Sequence, residues 1–216
     1  MDLIGIQLWR LLLLFTIIIS CFGFGNIVSN RFFYFNTKLS LLNIITSITL
    51  GLGCLSYLTL ILGLVGLLHK EVIWIAIFFF FFIGLYYLQI IFNSNFGVLI
   101  KRFISKLRRL DYFSTILLLF ILFFILINLL GTSFAPIGID DIKYHFAMPK
   151  RYLNNGTISF FADIIFSNFP YPIEMLWTIA ISLDSGELAQ LLNLSLGLLV
   201  LCWIYIICKK ALIDLP

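Results

Sequence analysis

The sequence predicts an all-α, polytopic transmembrane protein of about five spans, and both its composition and its apolar pattern support this fold class. Hydrophobic residues make up 62% of the 216 residues and charged residues 11%, against roughly half and about a quarter in an average soluble protein. A soluble fold of this size could not cover its surface with 14 basic and 10 acidic side chains. Lipid offers the backbone no hydrogen-bond partners, so the spans must be helical.

Five apolar runs approach the length of about 20 residues that a helix needs to cross roughly 30 Å of hydrocarbon. They are 11–28, 39–68, 72–92, 113–130 and 188–208. The run 39–68 is long for one crossing but too short for two, so we expect one tilted or broken helix there. The glycines that would loosen this helix are Gly51, Gly53, Gly63 and Gly66.

Lysine and arginine predict which side of the membrane each connection occupies. The segment 93–111 is the most basic stretch of the chain, and the positive-inside rule places it in the cytoplasm. Its cations are Lys101, Arg102, Lys106, Arg108 and Arg109. Cations beside other spans agree, namely Arg31, Lys38, Lys209 and Lys210. The segment 131–187 is then extracytoplasmic, and Arg10 lies on the disfavoured side. The net charge of +4 therefore reports orientation, and no nucleic-acid partner is predicted.

The basic segment 93–111 has two interpretations. Apolar residues alternate with its cations at helical spacing, as in an amphipathic helix lying on anionic headgroups. The alternative is a loop that only sets topology, as is usual in membrane proteins. Neither interpretation gives the protein an activity. This segment closes an N-terminal unit, 1–112, and the unit 113–216 contains the last two spans with the outer segment between them.

The outer segment 131–187 carries most of the chemically informative residues. It holds six of the ten acidic residues and four of the five prolines. The stretches 144–153 and 173–183 each have an apolar and a polar face, so we expect two short helices along the outer membrane surface. Pro170 and Pro172 set the entry to the second helix, since proline is tolerated in a first turn. Residues 155–157 match a glycosylation site, and residues 154–156 match a plain turn, which we favour.

Asp140 and Asp141 lie just beyond the outer end of the fourth predicted span. A carboxylate held at the membrane boundary beside apolar surface has a raised proton affinity, and it can accept a proton from an acceptor hydroxyl. The alternative is an acidic helix cap, because aspartate is a preferred N-cap and carboxylates favour the positive end of a helix. Spacing alone favours the cap.

His145 follows this acidic pair by four or five residues, so one helical turn would bring it near them. It could act as an acid, a base or a metal ligand, or form a structural hydrogen bond. Lys143, Lys150 and Arg151 form a basic cluster that could hold a phosphate, or pair with the aspartates or with lipid headgroups. No cofactor is predicted with certainty, and a divalent metal stays open. Its available donors would be Asp140, Asp141, His145 and Glu174.

Residues 140–158 read D-D-I-K-Y-H-F-A-M-P-K-R-Y-L-N-N-G-T-I, and residues 167–176 read S-N-F-P-Y-P-I-E-M-L. These strings resemble the first outer loop of bacterial membrane glycosyltransferases of the GT-C type. Such enzymes are related to the protein mannosyltransferases and to the lipid A aminoarabinose transferases. The segment 193–210 resembles the next span of one bacterial branch, and 51–56 resembles a glycine-rich early span there.

The resemblance implies an inverting transferase of the cell envelope. It would take a sugar from a polyprenyl-phosphate donor on the outer face of the bacterial inner membrane. Asp140 matches the acidic residue that serves as general base in the family, and Asp141 matches its variable neighbour, so both are expected to be catalytic. Substrate-binding residues are expected at Tyr144, His145, Lys150, Arg151 and Glu174.

The chain departs from this family in length. Members usually continue with further spans and a later outer loop that contributes to the donor site, whereas this sequence stops at Pro216. The chain therefore resembles an N-terminal module, a fragment or a split gene product, and a second membrane chain is a candidate partner that would supply further spans. The alternative from another class is a non-catalytic membrane scaffold or partner subunit. A transporter fits less well, because transport sites use ionisable groups within spans and the predicted spans between 11 and 130 contain none.

Overall fold

The computed structural model describes residues 3–32, 41–107, 110–135, 138, 140–164 and 172–213. Within these ranges the chain forms seven α-helices and one π-helical turn, and no strand. Five helices are long and apolar enough to cross a membrane. The prediction of an all-α protein with about five spans is confirmed.

The five long helices match the predicted spans; four of them extend past the predicted ends, and α2 is shorter than the predicted run 39–68. They are α1 (Leu3–Phe32), α2 (Leu41–Leu64), α3 (Lys70–Leu107), α4 (Tyr112–Gly131) and α7 (Gly186–Ile213). Two short helices lie between the last two spans: α5 (Ala147–Asn155) and α6 (Pro172–Leu183). Pro172 opens α6, as expected. Residues 167–171 of the string 167–176, which include Pro170, lie outside the described residues.

The second span, predicted as one tilted or broken helix, is unbroken from Leu41 to Leu64, so a break at its glycines is ruled out and a tilt stays a prediction. Gly66 is not part of the helix; it adopts a φ of 77° in the turn that follows α2. Gly51 lies so close to α1 that a Cβ placed on it would overlap the carbonyl oxygen of Cys21. A small residue here lets two helix backbones approach, as is common in membranes.

The core of the bundle forms where α1 packs against both α2 and α3. Gly25 of α1 approaches Ser47 of α2 as closely as Gly51 approaches Cys21, so each helix offers two small residues four positions apart. Gly84 of α3 meets the backbone of α1 in the same way. The surrounding lipid is itself apolar, so the hydrophobic effect does not drive these helices together. Small residues at these positions instead allow close van der Waals packing between the helices.

The basic segment is a helical continuation of α3, which runs without interruption to Leu107. The span proper is Lys70–Ile90, so about 17 further residues, or about 25 Å at 1.5 Å per residue, extend past it. Lys101 is exposed on this extension, while Arg108 and Arg109 lie outside the described residues. Both interpretations of the segment remain predictions.

Two contacts show which ends of the helices lie together. Arg10 donates from Nε to Asp184 at 3.0 Å and its Nη2 lies 3.5 Å from Glu187. The backbone N–H of Leu68 donates to the carbonyl of Gly156 at 2.9 Å. The start of α1, the α2–α3 turn, the end of α5 and the α6–α7 junction therefore share one end of the bundle, which we call the loop end. Arg10, which the sequence predicts to lie on the disfavoured side, thus pairs with two carboxylates at the loop end.

Helix α6 is buried in the bundle, so the prediction that it exposes a polar face is wrong, while its location at the outer membrane surface stays a prediction. It packs against α2, α5 and α7, and nine of its twelve residues are buried. The expected polar face is satisfied internally: Glu174 meets His145, and the Thr178 hydroxyl donates to the Glu174 carbonyl at 2.7 Å. By contrast, α5 keeps the predicted two faces, burying Tyr152 and exposing Lys150.

Helix α4 stands apart from the other helices. None of its residues is buried, and its main neighbour in the described part of the chain is α7. Its N-terminus is capped by Asp111, whose side chain accepts hydrogen bonds from the backbone N–H and the hydroxyl of Ser114. These two hydrogen bonds hold the pKa of Asp111 below its usual value. The gap between α4 and α7 forms a membrane-facing groove.

Candidate functional site

The candidate site begins with an irregular turn directly after the α4 connection. Asp140 is helical and exposed, and Asp141–His145 form a π-helical turn that ends just before α5. A π turn closes hydrogen bonds between residues five apart and is often found at functional sites. Position 140 therefore precedes position 145 by about one turn, as the sequence predicted. The side chain of Asp141 lies outside the described residues.

The structure pairs His145 with Glu174, two residues that the sequence assigned to substrate binding. Nδ1 of His145 lies 3.0 Å from Oε1 of Glu174. The Glu174 side chain is only 3% exposed, whereas that of His145 is 27% exposed. A buried carboxylate therefore orients a half-buried imidazole. This is an arrangement by which a carboxylate fixes the ring so that the second nitrogen is available for chemistry.

Aromatic rings enclose this pair on the side of α6. The ring of Trp177 stands edge-on to His145, with centroids 5.2 Å apart, and stacks on Phe146 at 5.3 Å. Tyr144 contacts the other side of the imidazole at 4.1 Å. The rings pack around the imidazole, and the Glu174 carboxylate beside it is buried. In this apolar setting a hydrogen bond to a charged group is stronger than in water.

Tyr152 adds a second buried polar group nearby. Its side chain is 0% exposed, and its hydroxyl has no hydrogen-bond partner among the described residues. Burial, and then the negative charge of Glu174, raises the pKa of Tyr152 to about 12. Tyr152 therefore stays neutral under ordinary conditions.

The other predicted site residues lie elsewhere on the loop end. Arg151 makes a two-pronged ion pair with Asp163, at 2.8 and 2.6 Å, and its guanidinium lies 5.2 Å from the centre of the Phe161 ring. Hydrogen bonding to Arg151 lowers the pKa of Asp163. Both partners are partly exposed, at 40% and 61%. The sequence leaves open an ion pair with Asp140 or Asp141, whereas the structure pairs Arg151 with Asp163, a partner that was not predicted. Lys150 is exposed.

Beside this pair, α4 and α7 enclose a groove of 890 Å³. Most of its wall is apolar, with Phe120, Phe124 and Leu198 among the lining residues. Its polar lining residues are Asn128, Thr132, Gln190 and Asn193. In sequence these four sit at the end of α4 and in the first half of α7, so they lie toward the loop end of the groove. The Oε1 of Gln190 is buried without a hydrogen-bond partner among the described residues.

Trp177 connects the groove to the His145 pair. Its indole Nε1 donates to Oδ1 of Asn193, a groove residue, at 3.3 Å. Phe146, which stacks on Trp177, also lines the groove. The imidazole of His145 is therefore separated from the polar end of the groove by one layer of aromatic rings.

No group of three or more histidine, cysteine, aspartate or glutamate side chains gathers at a possible metal site within the described ranges. The two described side chains that meet are His145 and Glu174. Two ligands are fewer than the three protein ligands that a catalytic zinc site ordinarily has. The described residues alone thus do not form a metal centre.

The sequence did not predict the pairing of His145 with Glu174, or the roles of Trp177 and the groove. Histidine and glutamate are 29 positions apart, so no local spacing connects them. One local signal was available: Trp177 follows Glu174 by three residues, which places both on one face of a helix. Comparisons with models of protein families, with curated proteins and with solved structures found no match.

Proposed function

We propose that the chain is a membrane glycosyltransferase, or the N-terminal part of one, which transfers a sugar from a polyprenyl-phosphate donor to an acceptor on the outer face of the membrane. The observation that carries the proposal is the groove between α4 and α7, which is apolar along the membrane and polar at the loop end. An isoprenoid lipid with a polar head has the same division. The resemblance of residues 140–158 to GT-C enzymes supports the same class of substrate.

Asp140 is proposed as the general base. The acceptor hydroxyl oxygen attacks the anomeric carbon of the sugar, and its proton passes to the Asp140 carboxylate. The bond between this carbon and the phosphate oxygen breaks, and polyprenyl phosphate leaves with the electron pair. Attack opposite the leaving group inverts the anomeric centre. Asp140 is exposed to solvent at the loop end, where an acceptor would arrive from water.

The outer location of the loop end is part of the proposal. The opposite end of the bundle carries exposed cations on three helices: Arg31, Lys101, Lys209 and Lys210. Cations next to spans favour the cytoplasmic side. The loop end would then face the periplasmic side of a bacterial plasma membrane, where polyprenyl-linked sugars are used in the related enzymes. A divalent metal bound by His145 and Glu174 would need a further ligand, from Asp141 or from another chain.

A non-catalytic scaffold is the second candidate, and one observation favours it. Helix α4 buries none of its residues, whereas a span in a complete helical bundle usually packs one face against its neighbours. Further helices of the same enzyme, or a second membrane chain, would cover it. In that case this chain would position a partner's site and would have no activity itself.

The test is transfer of a radiolabelled sugar from polyprenyl phosphate in membranes containing the chain. Asp140→Asn should reduce transfer by about 10²–10⁴-fold, the usual contribution of a general base. Glu71→Gln is the matched control, because Glu71 is an exposed acid at the loop end, at the start of α3. Retention of transfer by Asp140→Asn would remove Asp140 as the base. If the wild-type chain transfers no sugar, either alone or together with a second membrane chain, the proposal that it is an enzyme is refuted.

A further inference from the structure

We propose that the basic segment 93–111 binds the anionic headgroups of the membrane that the chain itself spans, with its helical part inclined along that surface. This inference goes beyond the proposed function. It concerns the end of the bundle opposite the loop end, and it involves no catalytic group.

The sequence of the segment separates its cations from its apolar residues around a helix. The chain is helical through Leu107, and successive residues of an α-helix are about 100° apart. At that spacing the apolar residues from position 99 onward fall within an arc of about 140°, and the cations fall outside it. The apolar residues are Leu99, Ile100, Phe103, Ile104, Leu107 and Leu110, and the cations are Lys101, Arg102, Lys106, Arg108 and Arg109. A basic amphipathic pattern of this kind is typical of helices that lie at the interface of anionic membranes.

The described side chains of the segment are open to their surroundings. Lys101 is exposed, and Ile104, three residues later on the apolar arc, is 43% exposed. A Cβ placed on Gly97 would meet nothing within 4 Å. The described part of the bundle therefore leaves these positions uncovered. A membrane interface would cover Ile104 and keep Lys101 beside the headgroups, because the aliphatic stem of a lysine can lie along apolar surface while its charge stays in water.

Chain connectivity holds the segment close to the membrane. The 20 residues of α4 span about 30 Å, which is about the thickness of the hydrocarbon, so Tyr112 at its start lies at the boundary. Tyr112 is 84% exposed, and tyrosine is enriched at membrane–water interfaces.

The same connectivity decides the direction of the helical extension of α3. Leu107 precedes Tyr112 by five residues, which bridge at most about 18 Å. An extension of about 25 Å that pointed straight away from the membrane would exceed this reach. The extension must therefore incline toward the membrane surface.

Charge complementarity indicates that the partner is anionic lipid. Residues 93–110 contain five cations and no acid, and Asp111, directly after them, caps α4. A candidate span lies on each side of the segment, α3 before it and α4 after it, so the headgroups of this membrane are always within its reach. A nucleic acid or an acidic protein would have to arrive from solution. Lysine and arginine next to an anionic leaflet are each attracted to it.

The experiment measures whether Ile104 enters the interface of an anionic membrane. An environment-sensitive fluorophore is attached to Ile104→Cys in a chain whose four native cysteines are changed to alanine, and the whole chain is placed in nanodiscs. Acrylamide, a neutral quencher in the water, reports the ratio of docked to undocked segment. Nanodiscs of phosphatidylcholine with phosphatidylglycerol should protect the fluorophore several-fold better than nanodiscs of phosphatidylcholine alone. Salt at about 1 M, where the Debye length is about 3 Å, should remove this protection.

Two double variants of equal charge test the position of the cations. Lys101→Gln with Arg102→Gln should lower the ratio of docked to undocked segment by about 30-fold, taking about 5-fold for each cation near an anionic surface. Lys209→Gln with Lys210→Gln is the matched control, because it removes two cations from the same end of the bundle but outside the segment. This control should keep the protection of the fluorophore.

Three outcomes would overturn the inference. The first is equal quenching in the two lipid compositions, which would mean that the segment only sets topology or inserts without regard to lipid charge. The second is an equal loss of protection in the two double variants, which would assign the effect to overall charge. The third is protection that requires added RNA or DNA, which would assign the surface to a nucleic acid. Sugar transfer enters none of these measurements, so a failure of the proposed function would leave this lipid-binding surface standing.

Discussion

Substituting Gly51 with alanine tests the close approach of α1 and α2. The Cβ of an alanine at 51 would overlap the backbone of Cys21, and a backbone cannot turn aside as a flexible side chain can. Gly53 provides a matched control two residues further along the same helix, because a Cβ there would meet nothing within 4 Å. The comparison removes the general benefit of alanine over glycine in a helix, about 0.5–1 kcal/mol, since both variants receive it.

The expected difference follows from overpacking. Inserting one methyl group into a packed contact typically costs about 1–3 kcal/mol. We expect Gly51→Ala to be destabilised relative to Gly53→Ala by about that amount. For a domain of 150–250 residues, each kcal/mol corresponds to a shift of about 2–4 °C in the melting temperature, so the variants should differ by several degrees. Gly53→Ala should melt at or slightly above the temperature of the wild type.

The assay is thermal unfolding of the three proteins in the same detergent, followed by loss of the monodisperse folded peak. Gly25→Ala should behave like Gly51→Ala, because it meets Ser47 from the other helix. Equal melting temperatures for Gly51→Ala and Gly53→Ala would refute the packing of α1 against α2 described above.

Three further predictions concern the loop end. Arg10→Ala should cost roughly 1 kcal/mol, and a double-mutant cycle with Asp184→Ala should recover a coupling energy; additive effects would show that the ion pair does not form. Gly156→Ala should destabilise the chain by about 1–2 kcal/mol, because Gly156 has a left-handed φ of 66° and faces the His69 ring. The control is Gly197→Ala, which should not destabilise the chain because a Cβ there meets nothing within 4 Å. Equal melting temperatures of the two variants would contradict this prediction. Since burial raises the pKa of Tyr152 to about 12, the folded chain holds that proton more tightly than the unfolded chain. Stability should therefore fall as pH rises from about 10 to about 12, and Tyr152→Phe should lose less over that range; identical profiles would contradict the burial.

The long helices could be predicted because their signal is local. Twenty apolar residues need no neighbour to identify them as a span, and positions such as Phe113 and Leu188 fell within two residues of the helix starts. The roles of Gly51 and Gly53 could not be told apart in this way. They differ only in what faces them, which depends on α1.

Helix α6 shows a second limit of sequence patterns. Glu174, Thr178 and Ser182 recur every four residues, which is typical of a polar face toward water. The structure buries that face, because His145 supplies a partner for Glu174 from 29 residues away. A pattern identifies a polar face but not whether water or another side chain satisfies it. Because His145 and Glu174 are 29 positions apart, the sequence could name both as candidate site residues but could not show that they meet.

The proposal of sugar transfer on the outer face depends most on which side of the membrane the loop end occupies. Lys150 and Lys209 are exposed near opposite ends of the chain's bundle, so each can be replaced by cysteine in a chain whose four native cysteines are changed to alanine. The account predicts that a membrane-impermeant maleimide labels Lys150→Cys on intact spheroplasts and labels Lys209→Cys only after the membrane is opened. The reverse pattern would place Asp140 and His145 in the cytoplasm and contradict sugar transfer on the outer face.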